Sequence, residues 1–100
     1  MDQVQLKNEN GELAILLSGK LDIDFVQANR DACLNACDGA TRVVLDFNSA
    51  DYMDSSGLGF LVSIRKKMEA KGGKLVLRHV PQVVRQLLTL TRLTNTFEIQ

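Results

Sequence analysis

Asp54-Ser55-Ser56-Gly57-Leu58-Gly59 is the stretch of this 100-residue chain whose residue types could do chemistry. Two hydroxyls stand beside a carboxylate. They lie between an apolar run, Val43-Val44-Leu45-Asp46-Phe47, and a segment of helical periodicity that starts at Leu58. Either serine can cap that helix, its oxygen accepting a hydrogen bond from one of the first free N–H groups. The same place suits a charge switch on a serine, because a helix N-terminus tolerates an anion. Gly57 and Gly59 leave the backbone little covered, so a partner can approach closely. On the residues alone, capping is the simpler role for the serines, worth about 1 kcal/mol for one of them.

Other chemistries lack their parts. A serine-hydrolase elbow needs Gly-x-Ser-x-Gly, but Met53 stands where the leading glycine belongs. His79 is the single histidine, and nothing in the sequence brings it to Ser55. A phosphate-binding loop of the Gly-x-x-x-x-Gly-Lys-Ser/Thr type is absent. Cys33 and Cys37 are one helical turn apart, too few ligands for zinc, and read as buried small hydrophobes. We therefore expect no catalytic residue, no metal and no cofactor.

The totals narrow the class further. The chain is 45% hydrophobic and 24% charged, enough for one core and one domain over residues 1–100. Twelve basic side chains balance twelve acidic ones, so no global field recruits nucleic acid. Residues 1–53 carry four basic and nine acidic side chains, and residues 54–100 carry eight and three, but folding interleaves the halves. No apolar run approaches a membrane span, and Met1-Asp2-Gln3 opens no signal peptide, which makes the cytoplasm the expected location.

The elements that must position the serines follow from periodicity. Gln3 to Lys7 alternates as a half-buried strand does, Asn10-Gly11 signals a hairpin, and Glu12 to Leu17 is its partner. Ser18 to Asp22 closes that strand, and Asp22 or Asp24 can cap a helix whose stripe is Phe25, Ala28, Ala32 and Ala36, with Cys33 beside them. Asp38-Gly39 ends it with a residue fit for a left-handed cap. Arg42 to Phe47 predicts a strand covered on both faces, and Asn48 to Met53 a polar loop. The second helix buries Phe60, Leu61, Ile64 and Met68, presents Arg65, Lys66 and Lys67 to solvent, and stops at Gly72-Gly73. Lys74 to His79 is a fourth strand. Pro81 opens a third helix with Val84, Leu87 and Leu88 inward, and Phe97-Glu98-Ile99 adds an edge strand. The order β-β-α-β-α-β-α-β gives an α/β sandwich, with the loops holding Asp22 and Ser55 at one end of a mixed sheet.

Met53-Asp54-Ser55-Ser56-Gly57-Leu58-Gly59 after Val43-Val44-Leu45-Asp46-Phe47 closely resembles the core of STAS domains, and Ser18-Gly19-Lys20-Leu21-Asp22 resembles their Gly-x-Leu-Asp segment. Lys74 to Leu77 and the helix through Leu87-Leu88 resemble the C-terminal part. The resemblance implies a single-domain STAS-like fold: a mixed, mostly parallel sheet of four to five strands with three or four helices. It also implies a free-standing, non-enzymatic anti-sigma-factor antagonist. The unphosphorylated form would bind an anti-sigma factor that is also a serine protein kinase and so release a sigma factor. Phosphorylation at Ser55 would end that binding, and a PP2C-type phosphatase would reset it. By position, the partner-facing residues would be Asp22, Asp54, Ser55, Ser56 and Gly57. No direct contact with nucleic acid, no membrane insertion, and a monomer or weak dimer are expected. The competing reading is a STAS regulatory or scaffold subunit of a transporter or signalling complex. Two positions depart from the family pattern: Lys20 stands where sporulation-type antagonists often carry an acidic residue, and Thr91-Arg92-Leu93 replaces a frequent Ser-Gly-Leu.

Overall fold

Asn10 (φ 52°) and Gly11 (φ 83°) both adopt the left-handed backbone that a two-residue hairpin turn requires. They join β1 (Val4–Glu9) to β2 (Glu12–Leu21), with Glu9 opposite Glu12. The computed structural model describes residues 3–100. After the hairpin come α1 (Ile23–Ala36), a 3₁₀ turn (Cys37–Gly39), β3 (Arg42–Met53) and α2 (Ser55–Ala70). The chain continues through β4 (Lys74–Arg78), α3 (Gln82–Leu90) and β5 (Glu98–Ile99). The described residues thus form one α/β unit with a five-stranded sheet in the order β1-β2-β3-β4-β5, antiparallel at the first pair and parallel thereafter.

All three strand–helix–strand crossovers step the same way across the sheet, so right-handed connections place α1, α2 and α3 on one face. Leu13, Ile15, Val43, Leu45 and Leu77 meet them there in a single core with Phe25, Phe60, Ile64, Val84 and Leu88. Phe25 of α1 and Phe60 of α2 pack edge to face, centroids 5.3 Å apart and planes at 85°. This corrects the expectation that β3 is covered on both faces. Val44 alternates away from the helices and stands outside that core, yet it is buried between its register partners Ala14 and Val76. A central strand hemmed by neighbours reads as continuously apolar even when helices cover one side only.

Several boundaries also differ from expectation. Asn48 to Met53 is strand, not loop: β3 continues beside Ser18 to Leu21 through two register shifts. The bulges absorb the extra residues that break period-two alternation and so hide the strand from a pattern reading. On α1 the buried side chains are Phe25 and Cys33, with Cys37 just beyond, whereas Ala28 and Ala32 are exposed. The larger side chains win the inward stripe because they bury more apolar surface. Nor does Gly39 take a left-handed conformation. The helix tightens into the 3₁₀ turn, and the Lys71 ammonium donates to the carbonyls of Cys37 (2.8 Å) and Asp38 (2.6 Å). Lys67 pairs with the Asp38 carboxylate at 2.7 Å, which lowers the Asp38 pKa through that hydrogen bond.

Candidate functional site

β2 and β3 run parallel and end level with each other. Leu21 and Met53 are register partners, and the Asp54 N–H points at the Leu21 carbonyl 3.5 Å away. Each strand gives way to a helix through an aspartate in extended conformation, Asp22 (φ −113°) and Asp54 (φ −118°). Asp22 Oδ1 accepts from the Phe25 N–H at 3.1 Å. Asp54 Oδ1 accepts from the Ser56 N–H at 2.9 Å and from the Gly57 N–H at 3.3 Å. Two helix N-termini therefore open at the same end of the sheet, as the topology led us to expect.

The cap of α2 is Asp54, not a serine. Both serines lie inside the first turn, Ser55 exposed and Ser56 half-buried. A carboxylate accepting two N–H groups is a stronger cap than a neutral hydroxyl and favours the positive end of the helix. The Ser55 hydroxyl is thereby released from local duty. It stands exposed at the first helical position.

Gly57 is buried, which corrects the idea that it opens the backbone to a partner. A Cβ there would collide with the Leu21 carbonyl oxygen and come within 2.6 Å of Met53 Cγ. Gly57 therefore lets the first turn of α2 sit against the end of β2, and so fixes where Ser55 stands. Gly59 differs: it is exposed, one helical turn beyond Ser55, with open space where a side chain would go.

Two residues of this end belong to no motif in the sequence. Ile23 and Tyr52 are 51% and 42% exposed, and with Leu6 and Leu90 they are the exposed large hydrophobics among the described residues. Ile23 follows the cap Asp22 directly and Tyr52 precedes Asp54 by two positions, a proximity to the caps that was the available signal. The strand-to-helix junctions at residues 19–24 and 51–57 hold four carboxylates, Asp22, Asp24, Asp51 and Asp54, against one ammonium, Lys20. His79 has a different neighbour from Ser55: its Nδ1 lies 3.0 Å from Asp46 Oδ1, at the end of β4. Among the described residues no group of three or more His, Cys, Asp or Glu side chains could hold a metal. Nor is any of their helices long and apolar enough to cross a membrane.

Comparison with known proteins bears on this site. The family model described as "Mlab, STAS domain" matches residues 4–99. An anti-sigma F factor antagonist of Paenibacillus polymyxa is 31% identical over 102 residues, covering 97% of this chain and 85% of that protein. The anti-sigma factor antagonist SpoIIAA in its unphosphorylated form superposes with a TM-score of 0.84 at 25% identity, over 97% of this chain and 87% of the other. The phosphorylated form of the Bacillus cell fate determinant SpoIIAA has the same fold, with a TM-score of 0.76 at 24% identity over 97% and 90% of the two chains. With the expected order of elements, the paired aspartate caps and a match over nearly its whole length, this chain belongs to the STAS domain family.

Proposed function

We propose that the protein is an anti-sigma-factor antagonist that works by partner switching, with Ser55 as its phosphorylated residue. The observation that carries this reading is the exposed Ser55 hydroxyl in the first turn of a helix already capped by Asp54. Its resemblance to anti-sigma-factor antagonists in sequence and fold supports the same conclusion.

The physics of the switch is local. A phosphate on Ser55 adds roughly −1.5 to −2 charges at neutral pH. The N-terminus of α2 tolerates that anion, so the fold need not change. A protein docked over Ser55 would instead have to seat a bulky dianion beside the Asp22 and Asp54 carboxylates, at a contact fitted to a neutral hydroxyl, a desolvation cost large enough to break the complex. The chain contributes a substrate hydroxyl, and phosphoryl transfer belongs to its partner, an anti-sigma factor with serine kinase activity. A PP2C-type phosphatase would reset the switch, and the cycle would run in the cytoplasm on a monomer or weak dimer.

The test is partner binding by two variants. Ser55→Ala is expected to hold the kinase in a lasting complex, and Ser55→Asp to weaken that complex at least tenfold. Equal affinity of both variants would overturn the switch. Stable recovery of both with a transporter or signalling assembly would favour the scaffold reading.

A further inference from the structure

We infer that Ile23 and Tyr52 are the anchors by which the partner grips the Ser55 end, and that its matching surface is an apolar recess bordered by basic side chains. This rests on the partner-switching reading above and extends it to residues outside the serine motif.

Exposed large hydrophobics are few on this molecule, four among the described residues, so their placement is informative. Two of the four fall at the end of the sheet that carries Ser55. Ile23 is the first residue of α1, next to the cap Asp22, and Tyr52 lies on β3 two positions before the cap Asp54. The pairing of Leu21 with Met53 puts those two caps on adjacent strands, so Ile23 and Tyr52 border the same pair of helix starts. The bulge between Gly19 and Lys20 sets Tyr52 opposite Lys20 at this edge, instead of leaving the end of β3 in plain register. Neither residue is drawn into the core, although buried Leu21 lies two positions before Ile23 and buried Met53 directly follows Tyr52. A β-strand tip and a first helical turn could both carry polar residues at no structural loss. Exposed Ile and Tyr there serve contact with another protein, and aromatic side chains are favoured as interface anchors.

The charge around these anchors states what the other surface must carry. Asp22 and Asp24 flank Ile23 in the chain, Asp51 precedes Tyr52 and Asp54 follows it by two positions, with Lys20 as the one cation of the two segments. A complementary surface is basic at its rim and apolar at its centre. Gly59, exposed beside Ser55 with no side chain, leaves room for close approach of the partner backbone.

The experiment uses tagged full-length chain made in its native cell, with the partner defined as the protein recovered with Ser55→Ala and lost with Ser55→Asp. Ile23→Ser and Tyr52→Ala are each added to Ser55→Ala, with Leu90→Ser as a remote exposed control. Thermal unfolding verifies that all remain folded. Recovery of the partner should fall at least tenfold for Ile23→Ser and Tyr52→Ala and stay unchanged for Leu90→Ser. It should also fall as salt is raised, since exposed opposite charges are screened. A defined partner whose recovery is indifferent to Ile23→Ser and Tyr52→Ala, or equally sensitive to Leu90→Ser, overturns the anchors and leaves the switch standing. Recovery that rises with salt overturns the basic rim. If no protein separates Ser55→Ala from Ser55→Asp, the partner-switching reading fails and the anchors fall with it.

Discussion

Leu21 and Met53 face each other at the ends of two parallel strands, and each is followed directly by an aspartate that caps a helix. The pairing makes one rigid platform from two sequence segments about thirty residues apart, and Ser55 stands on it. Because strand ends, caps and helix starts share this junction, its residues divide into those that hold Ser55 in place and those left free to meet a partner.

Asp54→Ala removes the acceptor for the Ser56 and Gly57 N–H groups. Loss of such a cap costs about 1 kcal/mol. Chemical denaturation should show that loss for Asp54→Ala, and a similar one for Asp22→Ala. Ser55→Ala, which removes no cap, should unfold within about 0.5 kcal/mol of the parent, as exposed substitutions usually do.

The two glycines of α2 should respond in opposite directions. Gly57→Ala forces a methyl group into the Leu21 carbonyl and should destabilise by about 1–3 kcal/mol, the usual cost of overpacking. Gly59→Ala meets open space in a helix interior and should stabilise by up to about 1 kcal/mol. Equilibrium unfolding of the two variants decides this, and the same direction for both would contradict the packing described.

Arg92 takes a left-handed φ of 61° just past α3, with the Leu93 N–H donating to the Leu88 carbonyl at 2.8 Å and the Arg92 N–H to Thr89 at 3.1 Å. Glycine is the relaxed residue at this helix-ending position. Arg92→Gly should therefore stabilise the domain by about 1 kcal/mol, read as a higher denaturation midpoint. The same turn accounts for the departure at Thr91-Arg92-Leu93: arginine occupies a site shaped for glycine.

Burial pushes the Cys33 thiol from 9.0 up to about 11, and burial also raises Cys37. A raised folded pKa on an acid means that the fold prefers the neutral thiol. The stabilisation is complete below the unfolded value and is lost as pH climbs through the folded one. Stability should stay level with respect to this group through neutral pH and decline between about 9 and 11. Cys33→Ala should flatten part of that decline in pH-dependent unfolding. Both thiols should also react with a disulfide reagent far more slowly in the native protein than after unfolding.

Much of this was legible in the chain. Asn10-Gly11 specified the hairpin, Gly72-Gly73 the end of α2, and the residue motif from Met53 to Gly59 the family. What escaped was decided by tertiary contacts. Asp54 outcompeted the serines for the cap because a carboxylate there reaches two N–H groups at once. The bulges in β3 broke the period-two signal, and Ala28 and Ala32, expected inward with Phe25, are exposed because the inward face of α1 turns to Cys33. The Arg92 side chain itself demands no left-handed turn, and the signal for one was the glycine that the family pattern frequently carries at this position. Ile23 and Tyr52 were passed over because exposure depends on how the sheet ends, which residue type alone does not state.

The most direct test of the central claim is intact-mass and fragment mass spectrometry of the protein taken from its native cell. A single phosphate is expected, on Ser55, and absent from the Ser55→Ala chain. A phosphate on Ser56 or elsewhere with Ser55 bare, or an unmodified protein under every growth condition, would contradict the switch.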